Sequence, residues 1–459
     1  MRILFASAEV DPFSKVGGLG DVAAALPARL LETGHEVRVV TPGHRSAMAA
    51  HAASADHRVY TVPLPGKDRE VDIATVTGEG GVPVDLIGES HYFNRPGVYG
   101  EPDDLLRYQF FCRAIIEMLK QDEWIPDILH LNDWHTAPLA FALRNLSWNH
   151  PRLRGLASVF TIHNLRYRGP DELNDFLAQA IYYSDIVTTV SPTYAREILT
   201  REYGEGLESL LGLREDSLRG ILNGLNTDLF NPRTDRFIQE QYDIASIESR
   251  DVNRAALRAE LKLPDLEGPV LAMVTRLTEQ KGVDLVLRAL PEIIRGHAQL
   301  VVLGDGDRWL KEALEQLEEE HRGHVRLVAR FDEGLAQRIY AGCDIFLMPS
   351  RYEPCGLGQL IAMRYGAIPI GRRTGGLADT ILDIDEHPDV GNGFLFDEFS
   401  TVDFATAFER SLRAFRDEEL WLRMQANAMS RDYSWRVSAN HYVDSYVAAL
   451  RARGIVPLE

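Results

Sequence analysis

The sequence lacks the cysteine patterns and long apolar runs that mark zinc-stabilised, secreted or membrane proteins. Its three cysteines are Cys112, Cys343 and Cys355. They are too widely spaced for a zinc pattern or a disulfide framework. The apolar N-terminal run, residues 3–8, is interrupted by Glu9 and Asp11, so it is too short for a signal-peptide core or a membrane span. We therefore expect a cytoplasmic protein with reduced thiols and no membrane partner.

Positive charge is also scarce. Lysine and arginine number 49 against 68 aspartates and glutamates, which gives a net charge of −19. Nucleic acids and anionic membranes are bound through basic surfaces, so neither is an expected partner. An anionic substrate would need a cleft that is locally basic and lined by backbone amides.

Two series of alternating strand and helix patterns run along the 459 residues, a length that favours two or three domains. Strands are predicted first at 3–8, 36–40, 84–87, 127–131, 158–162 and 186–190, and then at 270–274, 299–303, 325–328, 345–348 and 368–370. The stretch 231–252 between the series is polar, and the pattern after Thr401 is helical. This order predicts an α/β protein with two doubly wound, Rossmann-like domains at 1–240 and 241–433, followed by a helical segment at 434–459.

Glycine-rich and polar clusters follow these strands. The clusters in the first series contain Lys15, Gly17, Gly18, Asp133, His163 and Asn223. Those in the second contain Arg276, Lys281, Gly304, Glu353, Cys355, Gly356, Leu357, Thr374 and Gly375. In open parallel α/β sheets, ligands bind beyond the carboxyl ends of the strands. The repeated placement predicts a cleft lined from both halves.

Each cluster also has a purely structural interpretation. The glycines at 17 and 18 fit a tight turn between strand and helix, and Asp133 fits a helix N-cap. A lone histidine such as His163 is usually a core residue, and Arg276 and Lys281 could be solvated surface charges. Glu353 could cap the helix that follows it.

Two other functions compete with a nucleotide-diphosphate site. Residues 18–23 match the GxGxxA fingerprint of dinucleotide-binding proteins, but the second strand ends at Val40-Thr41-Pro42-Gly43, without the acidic residue that holds the ribose. A two-lobed, non-enzymatic protein that binds a small molecule is the other alternative. The pair Arg276 and Lys281, with phosphate-sized glycine loops, favours a nucleotide diphosphate.

The chain resembles the bacterial glycogen synthases and plant starch synthases over nearly its whole length. The matching strings are KVGGL at 15–19, NDWH at 132–135, HNL at 163–165, VSPTYA at 190–195, NG at 223–224, RLTEQKG at 276–282, PSRYEPCGL at 349–357 and RTGGLAD at 373–379. The resemblance implies the GT-B fold, with two domains facing a central cleft and a C-terminal helix that crosses back onto the first domain.

The resemblance also implies an activity, with neither a metal nor another cofactor. Glucose would pass from ADP-glucose or UDP-glucose, with retention, to the non-reducing end of an α-1,4-glucan. Arg276 and Lys281 would stabilise the departing diphosphate, and Glu353 would hold the glucosyl hydroxyls. Asp133 and His163 would border the sugar. The implied donor-binding residues are Lys15, Gly17, Gly18, Asn223, Gly304, Cys355, Gly356, Leu357, Thr374 and Gly375.

One segment departs from the family pattern. The family usually has a longer stretch after residue 170, with a lysine just before the next helix, and here Ala178 stands in that place. The segment lies on the acceptor side of the expected cleft. A polymeric glucan, a maltooligosaccharide and another small acceptor therefore all stay open.

Overall fold

The computed structural model describes residues 1–146, 149–169 and 175–455. The contacts divide the chain into two compact units. The first unit is Met1–Gly224 together with the C-terminal stretch that begins at Trp435, and the second unit is Leu225–Ser434. Among the described helices, none combines the length and the apolar character that a bilayer crossing requires.

The first unit is built on a sheet whose strand order is β3-β4-β5-β2-β1-β6-β7-β8-β9. Its strands are β1 Arg2–Ala6, β2 Glu36–Pro42, β3 Asp56–Val62, β4 Arg69–Thr77, β5 Pro83–Gly88, β6 Ile128–Asn132, β7 Ala157–Ile162, β8 Ile186–Thr189 and β9 Leu218–Gly220. Pairing is parallel from β5 to β9, and β4 and β3 continue the sheet in antiparallel pairing. Ile3, Leu4 and Phe5 are fully buried, as expected for a parallel strand covered on both faces.

Helices of the first unit follow the strands. They are α1 Gly18–Glu32, α2 Arg45–His51, α3 Asp104–Gln121, α4 Asp133–Thr136, α5 Pro138–Leu146, α6 Pro151–Arg154, α7 Phe176–Tyr183, α8 Pro192–Glu197 and α9 Glu208–Gly212. Because α1 follows β1 and α4 follows β6, the helix starts lie at the carboxyl edge of the sheet, where ligands of such folds bind.

The second unit is a wholly parallel sheet with the order β12-β11-β10-β13-β14-β15. Its strands are β10 Val270–Val274, β11 Gln299–Leu303, β12 Val325–Val328, β13 Ile345–Met348, β14 Ile368–Arg372 and β15 Phe394–Phe396. Its helices are α10 Arg250–Glu260, α11 Val283–Arg295, α12 Arg308–Glu320, α13 Glu333–Gly342, α14 Gly358–Arg364, α15 Gly375–Thr380, α16 Thr401–Arg416 and α17 Glu418–Ser430. The order of strands is that of a doubly wound fold, with the switch point between β10 and β13.

The polar stretch between the two strand series packs on the second unit. The Tyr242 hydroxyl donates to the Tyr365 carbonyl at 2.8 Å, and the Tyr365 hydroxyl donates to Asp235 Oδ2 at 2.6 Å. Ile238 and Tyr242 are buried in the same core. The first unit therefore ends at Gly224, ahead of the position 240 inferred from the sequence, because a few buried side chains carry contacts that the polar composition conceals.

The last helix, α18 Trp435–Ala452, belongs to the first unit. Its residues Tyr442, Tyr446 and Leu450 are buried in the core of that unit. His130 on β6 holds the helix, since its Nδ1 lies 2.8 Å from the Tyr446 hydroxyl and its Nε2 lies 2.7 Å from the Thr161 hydroxyl. The helix thus packs directly on the sheet of the first unit.

Candidate functional site

The glycine-rich loop of the first unit is organised by Glu9, a residue that motif reasoning did not select. Glu9 is buried, and its Oε2 accepts hydrogen bonds from the backbone N–H groups of Val16 and Gly17, both at 2.7 Å. Its Oε1 accepts from the Tyr99 hydroxyl at 2.5 Å. The only sequence signal was a carboxylate directly after the apolar run at residues 3–8. The Gly17 N–H is therefore engaged within the loop, as a donor to Glu9.

Lys15 and Gly18 lie at the start of α1. The Lys15 ammonium is 2.5 Å from Asp21 Oδ1 and 3.1 Å from Asp11 Oδ2, so two carboxylates hold it beside the helix N-terminus. A methyl group at Gly18 would meet no described atom within 4 Å. Packing against described residues therefore does not require a glycine there, and the backbone is open to close approach by a ligand.

Asp133 and His163, at the ends of β6 and β7, are brought together. The His163 backbone N–H donates to Asp133 Oδ1 at 2.8 Å. Burial raises the pKa of Asp133 to about 7, against the opposing effect of that hydrogen bond. Asp133 also has a φ of 54°, a strained conformation for a residue with a side chain and one that is common at functional sites.

The tautomer of His163 follows from Asn132. The Asn132 side-chain N–H group donates to the Ala6 carbonyl at 3.0 Å, which leaves its Oδ1 as an acceptor, 2.9 Å from His163 Nε2. The proton of the neutral ring is therefore on Nε2. Burial lowers the pKa of His163 to about 3, so the ring is uncharged at neutral pH.

Asn223 follows β9 at the same edge. It is buried, and its Oδ1 has no hydrogen-bond partner among the described residues. A buried amide oxygen without a partner is uncommon in proteins, and one at the carboxyl edge of a parallel sheet is a candidate for contact with a ligand.

In the second unit, Lys281 and Glu353 form an ion pair. Lys281 Nζ lies 2.7 and 2.9 Å from the two Glu353 oxygens, and Ser350 Oγ donates to Glu353 Oε2 at 2.9 Å. The side chains of Lys281 and Glu353 are only 17% and 6% exposed. Seventy-two positions separate the two residues, which the sheet brings together from the ends of β10 and β13.

Arg276 lies in the same loop as Lys281 but is exposed. Its side chain makes no hydrogen bond or ion pair with a described residue. The loop that begins at Gly304 packs against the backbone of the loop that carries Arg276, because a Cβ at Gly304 would lie 1.8 Å from the Thr275 carbonyl oxygen. Gly304 is therefore explained by contact between the two loops, and Arg276 stands as an exposed cation at the carboxyl edge of β10.

The loops after β13 and β14 are also in contact. A Cβ at Gly375 would lie 1.9 Å from the Glu353 carbonyl oxygen, and the Gln359 side chain donates to the carbonyls of Cys355 and Gly356 at 3.1 and 2.9 Å. Thr374 and Cys355 are buried, while Leu357 is partly exposed. These residues hold the backbone around Glu353, and any part that Cys355 takes in binding would be through its backbone.

Phe331 is a further candidate that motif reasoning missed. It follows β12, at the carboxyl edge of the second sheet, and its side chain is 88% exposed. At this exposure the ring buries little apolar surface against the described residues. Among the described residues there is also no group of three or more His, Cys, Asp or Glu side chains that could hold a metal ion.

Residues 2–212 match the family of starch synthase catalytic domains, and residues 268–414 match the group 1 glycosyl transferases. The glycogen synthase of Moorella thermoacetica is 41% identical over 99% of this chain and 98% of its own length. The chain belongs to the glycogen synthase family. This confirms the resemblance inferred from the sequence.

Solved structures extend the finding for this glycogen synthase family member. The catalytic domain of starch synthase IV from Arabidopsis thaliana, bound to ADP and acarbose, is 36% identical with a TM-score of 0.88, over 98% of this chain and 99% of that one. Sucrose-phosphate synthase from Thermosynechococcus elongatus, at 19% identity and a TM-score of 0.65 over 98% and 99%, shares the fold. The protein is a glycosyltransferase with the GT-B fold, as predicted, and the dehydrogenase and non-enzymatic hypotheses do not hold.

Proposed function

We propose that the protein transfers glucose from ADP-glucose, with retention, to the non-reducing end of an α-1,4-glucan. Membership of the glycogen synthase family supports glucosyl transfer to a glucan. The ADP in the structure of starch synthase IV supports the adenine nucleotide over UDP-glucose. The cytoplasmic location inferred from the cysteine pattern stays a prediction.

The observation that carries the proposal is the Lys281–Glu353 pair, in the same loop region as the exposed Arg276. A diphosphate gains negative charge as the glucosyl bond breaks, and fixed cations stabilise that charge in the transition state. Lys281 and Arg276 supply those cations, while the Glu353 carboxylate accepts hydrogen bonds from glucosyl hydroxyls. Lys281 has three N–H donors, so its bonds to Glu353 leave it able to bind phosphate.

Residues of the first unit have supporting roles in this proposal. Lys15 and the open backbone at Gly18 bind phosphate oxygens at the N-terminus of α1, where the helix dipole favours an anion. Asp133 and the neutral ring of His163 border the glucosyl unit, and Oδ1 of Asn223 accepts a hydrogen bond from the donor. We assign no general base.

The exposed Phe331 ring is the proposed platform for the nucleotide base. Aromatic side chains stack on the π-face of any base, so this contact adds affinity without selecting adenine over uracil. Selection between ADP-glucose and UDP-glucose must then come from hydrogen bonds to the base.

Acceptor length is the finer part of the proposal. Residues 170–174 lie outside the described residues. In the part that is described, the N–H of Ala178 donates to Asp175 Oδ1 at 3.0 Å as the cap of α7, and Arg168 pairs with Asp175. Ala178 offers an acceptor no positive charge of its own. We propose a glucan chain as the acceptor, with short maltooligosaccharides as the alternative.

A panel of ADP-, UDP- and GDP-glucose, each with glycogen and with maltotetraose, tests the proposal. We expect ADP-glucose with glycogen to give the highest kcat/KM. Lys281→Ala and Glu353→Ala should each lower kcat by about 100-fold or more. Lys120→Ala is the control, because Lys120 forms a similarly shielded 2.7 Å pair with Glu117 on α3. Wild-type turnover in both test variants would overturn the assignment.

A further inference from the structure

Arg351 makes hydrogen bonds to residues on both sides of Lys281. Its backbone N–H donates to the Gln280 carbonyl at 2.8 Å, and its Nε donates to the Glu279 carbonyl at 3.2 Å. Its Nη2 donates to Asp284 Oδ2 at 2.8 Å. These acceptors stand before and after Lys281, so one side chain and its own backbone fix both ends of the turn.

The same arginine belongs to the loop that carries Glu353. Arg372 holds this loop from the next strand, donating through Nε to the Ser350 carbonyl at 2.9 Å and through Nη2 to the Arg351 carbonyl. Ser350 in turn bonds the Glu353 carboxylate through its hydroxyl. Arg351 is thus a direct link between the loop of Lys281 and the loop of Glu353.

Two features make the link close and specific. Gly282 has a φ of 69°, and a Cβ there would lie 2.0 Å from the Pro349 carbonyl oxygen, so the two loops meet only because this residue is glycine. The Arg351 guanidinium also lies 3.9 Å from the centre of the Phe399 ring. The planar guanidinium group can stack on a ring while it donates to a carbonyl and a carboxylate. A lysine ammonium cannot reproduce this geometry.

We propose that Arg351 is a positioning residue that sets Lys281 against Glu353 for the transfer step. The inference rests on the proposed function of that pair. Since Lys281 stabilises charge that develops only in the transition state, its displacement lowers kcat and leaves the KM for the donor nearly unchanged. Misplacement of a reacting group by about 1 Å can lower the rate by about 100-fold.

The first test compares three single variants. Arg351→Ala should lower kcat by about 10- to 100-fold, with the donor KM within about twofold of wild type. The kcat of Arg351→Lys should lie between those of wild type and Arg351→Ala. Arg288→Ala is the matched control, because Arg288 bonds the same Asp284 Oδ2 at 2.9 Å from within α11. It should stay within about twofold of wild type. Millimolar guanidinium should partly restore Arg351→Ala, since the side chain is 41% exposed.

A double-mutant cycle decides whether Arg351 acts through Lys281. In the Lys281→Ala background, Arg351→Ala should cause little further loss, because residues that act as a unit are not additive. A full additional loss, or an Arg351→Ala variant no worse than Arg288→Ala, overturns the inference. If Arg351→Ala unfolds, the cycle is run with Arg351→Lys. Wild-type turnover in Lys281→Ala alone would instead refute the proposed function.

Discussion

Glu9 is the residue on which the glycine-rich loop of the first unit depends. Glu9→Ala removes the acceptor of the Tyr99 hydroxyl and of two backbone N–H groups, and we expect the free energy of unfolding of this unit to fall by about 2 kcal/mol. The donor KM should rise, because the amides of the loop lose their fixed direction. Thermal unfolding and initial-rate kinetics measure the two effects.

Two variants calibrate the Glu9 result. Tyr99→Phe removes one of the three hydrogen bonds and should lower the unfolding free energy by about 1 kcal/mol. Glu32→Ala removes only a surface pair with Arg29 at the end of α1, which is worth at most about 1 kcal/mol, and should leave the donor KM unchanged. An unchanged melting temperature and donor KM in Glu9→Ala would show that the loop holds its shape without the carboxylate.

Asp133 should make stability depend on pH. Its folded-state pKa is raised from 3.8 to about 7 by burial, so the folded protein holds a proton that the unfolded chain has released. Stability contributed by the protonated form is therefore lost as the pH rises from about 4 to about 7, and is constant above that. Asp133→Asn removes this titration and keeps an oxygen that can accept from the His163 N–H.

The measurement is the melting temperature of wild type and Asp133→Asn between about pH 5 and pH 8.5. The value for the variant minus that for wild type should grow up to about pH 7.5 and then level off. His163, whose pKa is lowered to about 3, is present in both proteins, so its own contribution cancels to first order. A difference that is constant or shrinks as the pH rises would mean that Asp133 is ionised throughout.

The family resemblance pointed to Lys281 and Glu353 as site residues, but their direct contact spans 72 positions and depends on strand order, so local pattern could not predict it. Glu9 and Arg351 were not recognised as organising residues for a different reason. Each acts through backbone groups of a neighbouring loop, and no residue type or spacing encodes such a contact. Gly304 and Gly375 show another limit, since the family resemblance implied donor binding there but could not reveal that each glycine also packs closely against a neighbouring loop.

At the scale of elements, covered parallel strands were the easiest to predict. β10, β11, β12 and β13 coincide with the predicted strands, because each is a short apolar run between polar turns. The antiparallel β3 and β4 were missed. The sequence of β3 is D-H-R-V-Y-T-V, and four of its seven side chains are exposed. It therefore has no continuous apolar run that would indicate a strand.

Short elements and long-range packing could not be predicted from the sequence, for different reasons. β15 has three residues, too few for a periodic pattern. The sequence showed α18 to be helical, but its place in the first unit came from the family resemblance. The bond between Tyr446 and His130 spans 316 positions, and local pattern cannot predict a contact of that kind.

At the scale of the whole molecule, the second unit is an insertion within the first. The chain leaves the first unit at Gly224 and returns at Trp435, and a Cβ at Gly224 would lie 2.4 Å from the Trp435 Cα. The ends of the second unit also meet, since the Leu225 N–H donates to the Tyr433 carbonyl at 2.7 Å. A short peptide can therefore join the two ends of the first unit, at Gly224 and Trp435. The second unit can be separated from it, because its own two ends already lie together.

We expect residues 225–434 to fold alone, because their two core clusters are internal and their ends meet. Residues 1–224 alone should not fold stably, since α18 supplies buried side chains to their core. Joining Gly224 to Trp435 through two or three glycines should restore a cooperative melting transition. Circular dichroism on the three chains measures this. Stable folding of 1–224 without α18 would show that the helix is only an addition to a complete core.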